Sequence, residues 1–137
     1  MLEGKALTLT YRDGEDTLDA VDDVSLAVED HQFIGILGPS GSGKSSLLYL
    51  LSGLRRPTRG DITLDGRAYS KMTDRERVAL RRDEYGFVFQ QHFLINYLTA
   101  LENVMVAAPV QDQSHAEQAK ALLADLGMGD KLHRFPY

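Results

Sequence analysis

The sequence contains no cysteine, which excludes disulfide staples and thiolate metal sites. It has no apolar run near the ~18 residues of a membrane-spanning helix. Its first residues, MLEGKALTLTY, lack the apolar stretch of a secretory signal peptide. It also lacks a cationic excess. Fifteen Lys and Arg stand against 20 Asp and Glu, a formal charge of −5, which argues against a general nucleic-acid-binding surface. No internal repeat or low-complexity tract is present. His31, His92, His115 and His133 have no metal-ligand spacing and are expected in surface or loop roles. These absences predict a cytoplasmic chain whose link to any membrane runs through a partner. What remains is 137 residues, 43% of them hydrophobic, enough for one globular domain with a sizeable core.

Hydrophobic periodicity orders the chain. Leu7, Leu9 and Tyr11 alternate with threonines, and Val24, Leu26 and Val28 alternate again, predicting two half-buried strands separated by the turn chemistry of YRDGED. Residues 33–37, FIGIL, form a continuous apolar run and predict a strand buried on both faces. Leu47, Leu48, Leu50, Leu51 and Leu54 follow at helical spacing, with Gly53 as the stop. ITLDGRAY predicts a hairpin turning at Asp65-Gly66. Three capped helices are expected next: Thr73 with Glu76, Thr99 with Glu102, and Ser114 with Glu117. A brief apolar strand is expected at Phe87 to Phe89. The last helix should bury Ala119, Leu122, Leu123 and Leu126 and end at Gly127. Arg55-Arg56 and Arg81-Arg82 read as solvated pairs.

The chemistry lies in GPSGSGKSS, Gly38 to Ser46. Gly38, Gly43, Lys44 and Ser45 fit G-x-x-x-x-G-K-[ST]. Glycines let successive backbone N–H groups curl around a β-phosphate. Lys44 is placed to reach β- and γ-phosphate oxygens, and the Ser45 hydroxyl to coordinate Mg²⁺. A helix that starts at the loop turns its positive end toward the anion. A Gly-Ser-rich turn matching by accident is the plain alternative, and the flanking strand and helix patterns disfavour it.

Several strings together resemble the ABC-type ATPases. GPSGSGKSS resembles their Walker A loop, which implies nucleotide contacts from Gly38, Pro39, Ser40, Gly41, Ser42, Gly43, Lys44, Ser45 and Ser46, with Ser46 standing where threonine is common. GFVFQQ, residues 86–91, resembles the Q-loop, and its pairing with LTALENV is similar to the lipoprotein-releasing and macrolide-export branch. LRRPTRGDITLDG fits the stretch after the loop helix, so the resemblance runs from about Leu7 to Tyr137. His31-Gln32 stands where the family has Gly-Glu, at a turn, with a local change of conformation expected.

The resemblance implies an α/β fold: a P-loop NTPase of ABC type with an N-terminal antiparallel β subdomain, the P-loop strand and helix, and the start of a helical subdomain. The expected division is 1–90 and 91–137. The implied ligands are ATP and Mg²⁺. Lys44 and Gln90 take catalytic roles, Ser45 and Gln90 the metal, and Tyr11 stacks on adenine. An aromatic that merely completes a half-buried strand is the other reading of Tyr11. Stacking does not read base edges, so weak base selectivity is expected. The implied partner is a membrane permease received at Phe93, Leu94 and Tyr97, which would hold the protein at the inner face of the membrane.

The family's L-S-G-G-Q signature, Walker B strand, D-loop and switch histidine do not appear. ALLADL imitates Walker B, but Leu126 stands where the catalytic glutamate belongs and the spacing is helical. An incomplete sheet with an unpaired edge at FIGIL is therefore expected, and no ATP turnover by these residues alone. Two explanations stay open: the N-terminal part of an ABC transporter ATPase subunit, completed by a C-terminal fragment, or a non-catalytic nucleotide- or partner-binding module. A small P-loop kinase is the third class. Element order, Tyr11 and the Q-loop string argue against it.

Overall fold

The computed structural model of the protein describes residues 1–136. Two compact units divide after Phe87, and each is built by its own rules.

The first unit is organised by a four-stranded antiparallel sheet. Strand β1 (Leu2–Asp13) pairs with β2 (Asp16–Val28) on one side and β3 (Arg59–Leu64) on the other, and β3 pairs with the short β4 (Arg67–Ala68). Strict alternation fails within β1. Leu7, Thr8 and Leu9 are buried in succession, because the register shifts on both sides of Leu7 and Ala6 adopts a φ of 49°. A bulge rotates consecutive side chains inward. The buried Thr8 hydroxyl accepts from the Asp23 N–H at 3.2 Å. The Asp65-Gly66 turn has the two positive φ angles, 49° and 76°, of the tight hairpin turn that its sequence predicts.

Helix α1 (Lys44–Leu51) lays Leu50 and Leu51 into a core with Leu7, Leu9, Val21, Ile62, Tyr69 and Leu80. Each fully buried leucine contributes about 1.5–3 kcal/mol. Helix α2 (Asp74–Glu84) opens on the predicted capping box, with the Thr73 hydroxyl accepting from the Glu76 N–H and the Glu76 carboxylate accepting from the Thr73 N–H at 2.7 Å. The Tyr69 and Tyr85 hydroxyls touch each other, and each donates to the Leu51 carbonyl at the end of α1 at 3.1 Å.

Two strand expectations are corrected. Residues 33–37 and 87–89 form no strand among the described residues, and Phe33, Leu37 and Val88 are almost fully exposed. Apolar composition supplies the propensity for a strand, but the strand state requires a hydrogen-bonded neighbour. Neither run forms a strand ladder with another described segment. The expected incompleteness of the sheet thus extends to both edges of FIGIL.

The second unit holds α3 (Ala100–Met105) and α4 (Gln113–Asp125). Thr99 and Glu102 close the expected capping box. Asn103 clamps the preceding loop: its amide nitrogen donates to Ile95, Leu98 and Thr99 carbonyls, and its oxygen accepts from the Ile95 N–H at 2.8 Å. The last helix is capped by Asp112, whose side chain accepts from the His115 N–H, and not by Ser114. Asp lies one residue before the helix, where the short carboxylate reaches the free N–H groups. Ala119 and Leu123 are buried as expected, whereas Leu122 and Leu126 are exposed. Gly127, at φ 72°, ends the helix, with the Met128 N–H returning to the Leu123 carbonyl at 2.7 Å.

Candidate functional site: a glycine loop at the start of a helix

The loop 38–46 leads directly into α1. Gly43 is the residue before the helix, at φ 87°, and Gly41 has φ 79°. Both lie in the left-handed region, which glycine enters without the steric cost a Cβ imposes. Gly43 has a second reason to be glycine: a Cβ there would overlap the carbonyl oxygen of Ala20 in β2. The sheet therefore sets how deep the loop sits.

No side chain caps the start of α1. The first N–H groups of a helix have no partner within it, so this end is left to an external acceptor. Lys44 curls back over the loop. Its ammonium donates to the Gly38 carbonyl at 2.9 Å, the Pro39 carbonyl at 2.6 Å and the Ser42 hydroxyl at 3.3 Å. All three ammonium protons are engaged by the loop. A further bond from the Ser42 N–H to the Pro39 carbonyl closes the turn at Ser40-Gly41. A cavity of about 320 Å³ adjoins the loop, bordered by Asp22, Leu37, Gly38, Pro39, Lys44 and Leu47. Ser45 is exposed on the first turn and Ser46 is half-buried. Asp22 and the Ala20 carbonyl are parts of this site that periodicity did not reveal. They approach the loop only because β2 passes beneath it.

Tyr11 is half-buried near the end of β1, opposite Leu18. The guanidinium of Arg55 lies over its ring, 5.2 Å from the centroid, a cation–π geometry. Arg82 stays solvated, pairing with Asp83, but the other three arginines of these pairs do more. Arg55 covers Tyr11, Arg56 pairs with Asp74 at 2.5 Å, and Arg81 donates to the Gly53 carbonyl at 3.0 Å.

Gln90 belongs to the second unit, at an exposed bend. In that unit Phe93 and Tyr97 are 70% and 80% exposed, Leu94 is 52% exposed, and Phe93 meets Phe89 edge-on at 5.0 Å. An apolar groove of about 440 Å³ runs beside α3 and α4, bordered by Leu94, Val104, Leu123, Met128 and Phe135. Glu102, one of the few carboxylates in this region, is held below the usual range by the Thr99 N–H and hydroxyl it accepts from.

An α/β unit in which a glycine loop opens an uncapped helix, with a lysine as the first residue of that helix, has the arrangement of a P-loop domain. The sequence pattern of the ABC transporter family matches residues 21–137, and the chain belongs to that family. It is 40% identical over 140 residues to an uncharacterised ABC transporter ATP-binding protein of Methanocaldococcus jannaschii, covering 100% of this chain and 62% of the relative. It is 45% identical over 119 residues to the lipoprotein-releasing system ATP-binding protein LolD of Aquifex aeolicus, covering 83% of this chain and 52% of LolD. It is 39% identical to the macrolide export ATP-binding/permease protein MacB of Hyphomonas neptunium, covering 99% of this chain and 22% of MacB.

Among solved structures, an ATP-binding cassette in a dimeric post-hydrolysis state bound to ADP and Pi superposes with a TM-score of 0.91 at 34% identity. That match covers 99% of this chain and 62% of the other. The fold is that of an ABC ATPase cassette over the shared residues. The chain spans at most 62% of these relatives' lengths.

Proposed function

We propose that this chain is the ATP-binding part of an ABC transporter ATPase subunit, coupling nucleotide binding to transport through a membrane permease. Residues 1–90 supply the β subdomain, P-loop and Q-loop segment, and residues 91–137 begin the helical subdomain. The observation that carries this reading is the glycine loop locked onto β2 at the uncapped start of α1, with the Lys44 ammonium folded over it.

The residues present fit a magnesium nucleotide. Left-handed glycines and free first-turn N–H groups offer donors to a β-phosphate. Lys44 exchanges two loop carbonyls and a hydroxyl for phosphate oxygens. The exposed Ser45 hydroxyl is the proposed metal ligand of this loop, and Gln90 keeps the metal role its sequence position implies. When bound, Mg²⁺ supplies charge neutralisation to the phosphates. Pro39, Ser40, Ser42 and Ser46 complete the wall of the loop, and Tyr11 provides the base platform. Phe93, Leu94 and Tyr97 form the proposed permease surface. The proposed location is cytoplasmic, at the inner face of the membrane, held there by that partner. A C-terminal segment bearing the signature and Walker B would complete the sheet along residues 33–37.

Calorimetry of Mg-ATP binding to the parent and to Lys44→Ala tests the reading. Charge-assisted contacts are worth ~1.5–3 kcal/mol each, so the variant should bind about ten- to a hundredfold more weakly. Equal affinity would remove the assignment.

A further inference from the structure

We propose that the arginines around the turn after α1 form a second phosphate-binding site, separate from the glycine loop. Arg55 and Arg56 follow Gly53, which ends α1 at φ 70°. Arg77 and Arg81 stand four residues apart on α2, on one face of that helix. Two adjoining depressions, of about 230 and 300 Å³, are both bordered by Arg55, Arg56 and Arg77, and Arg81 borders the larger. None of these arginines borders the cavity beside the glycine loop.

The charge at this place runs against the chain's net −5. Four arginines and two aspartates, Asp61 and Asp74, border the two depressions, leaving two positive charges in excess. Asp61 is already engaged. Its Oδ1 accepts from the Ile62 and Ser70 N–H groups at 2.8 and 3.2 Å, and its Oδ2 from the Ser70 hydroxyl at 2.5 Å. Asp74 offers one oxygen, Oδ1, to two partners: Arg56 at 2.5 Å and Arg77 at 3.0 Å. Both bonds leave from Nη2, and a guanidinium carries five N–H donors.

Arg77 is 93% buried by residue area, being 7% exposed, whereas its carboxylate partner is 85% exposed by side chain. Among the described residues no buried side-chain nitrogen lacks a partner, and Arg77 borders both depressions. A tie between helices accounts for Arg81, which bonds the Gly53 carbonyl. It does not account for Arg55, whose guanidinium lies on the Tyr11 ring.

Planar forks with spare donors suit phosphate oxygens taken two at a time. The excess of two positive charges matches a phosphate dianion better than a single carboxylate. The recognised group is a phosphate, carried by a free anion or by a lipid headgroup.

The test is an NMR titration of the 137-residue chain carrying Lys44→Ala, so that binding at the glycine loop is weakened. The signals are the arginine side-chain Nε–H groups, the titrant is inorganic phosphate, and chloride at matched ionic strength is the control. A parallel arm measures co-sedimentation with phosphatidylglycerol against phosphatidylcholine vesicles. Saturable shifts of Arg55, Arg56 and Arg77 with phosphate, weakened about tenfold or more by the double change Arg55→Ala and Arg56→Ala, support the site for the free anion. Vesicle binding that the same double change removes, without shifts in free phosphate, supports it for the headgroup. Shifts equal to those in chloride together with no vesicle binding overturn it. Binding in either arm that the double variant retains also overturns it. Both arginines are on the surface, and an unchanged thermal midpoint of the double variant separates lost binding from lost folding.

Discussion

Gly43 sits directly against Ala20: the space a Cβ would fill is taken by the Ala20 carbonyl oxygen. The glycine loop is held in place by the backbone of β2 at Ala20, twenty-three residues earlier in the sequence, and its conformation is inseparable from the sheet beneath it.

Gly43→Ala should therefore fail twice. The left-handed φ of 87° costs a non-glycine residue about 1–2 kcal/mol, and the methyl group forces loop and β2 apart. Thermal unfolding should show a lower midpoint, and calorimetry should show Mg-ATP binding lost. A variant with parental stability and affinity would mean that the loop does not rest on Ala20.

Tyr11 carries Arg55 on its ring. If the ring also supports adenine, Tyr11→Ala should weaken ATP binding by ~1–3 kcal/mol while Tyr11→Trp largely retains it. GTP should compete, because stacking does not read base edges. Strong rejection of GTP by the parent chain would reveal an edge-reading group elsewhere.

Steady ATP hydrolysis by these 137 residues should be absent. Turnover requires a base for the attacking water and donors for the charge that develops on the γ-phosphate, each worth roughly 10²–10⁴-fold. Glu102 is committed to its helix cap, and Asp125 ends α4. Phosphate release that disappears in Lys44→Ala would show that a catalytic carboxylate exists. Release that requires an added fragment bearing the signature and Walker B would support completion in two pieces.

If Phe93 and Tyr97 form the proposed permease surface, charge at either should abolish assembly with that partner in the complete protein and leave Mg-ATP affinity unchanged. The two side chains are 70% and 80% exposed, so either change is compatible with folding. Co-purification of the assembled transporter reads the outcome, and assembly that survives both changes removes the surface.

Acid should loosen the helix starts. Glu76, Glu102 and Asp112 are each held below their ordinary values, 4.5 for the glutamates and 3.8 for the aspartate, chiefly by the backbone N–H groups they accept from. A depressed carboxylate stabilises the fold above its ordinary value, and that contribution is lost as pH falls through the lower folded value. The thermal midpoint should thus decline below about pH 4.5, and Glu102→Gln should flatten part of that slope. An unchanged slope would place the acid sensitivity elsewhere.

The sequence alone determined the elements whose information is local. The Asp65-Gly66 turn, the capping boxes at Thr73 and Thr99, and the stops at Gly53 and Gly127 all formed, because each is decided by residues within a few positions. The glycine loop at the start of α1 was legible for the same reason: spacing within nine residues defines it. Tertiary structure decided what depends on a neighbour. FIGIL has the composition of a buried strand, yet residues 33–37 form no ladder and all but the half-buried Ile36 are exposed, since a strand exists only beside another. The bulge that buries Leu7, Thr8 and Leu9 together, the seat of Gly43 on Ala20, and the gathering of Arg55, Arg56, Arg77 and Arg81 arise from pairings distant in sequence. No periodicity within one segment encodes them, because the energies involved are contact terms between segments that only the fold brings together.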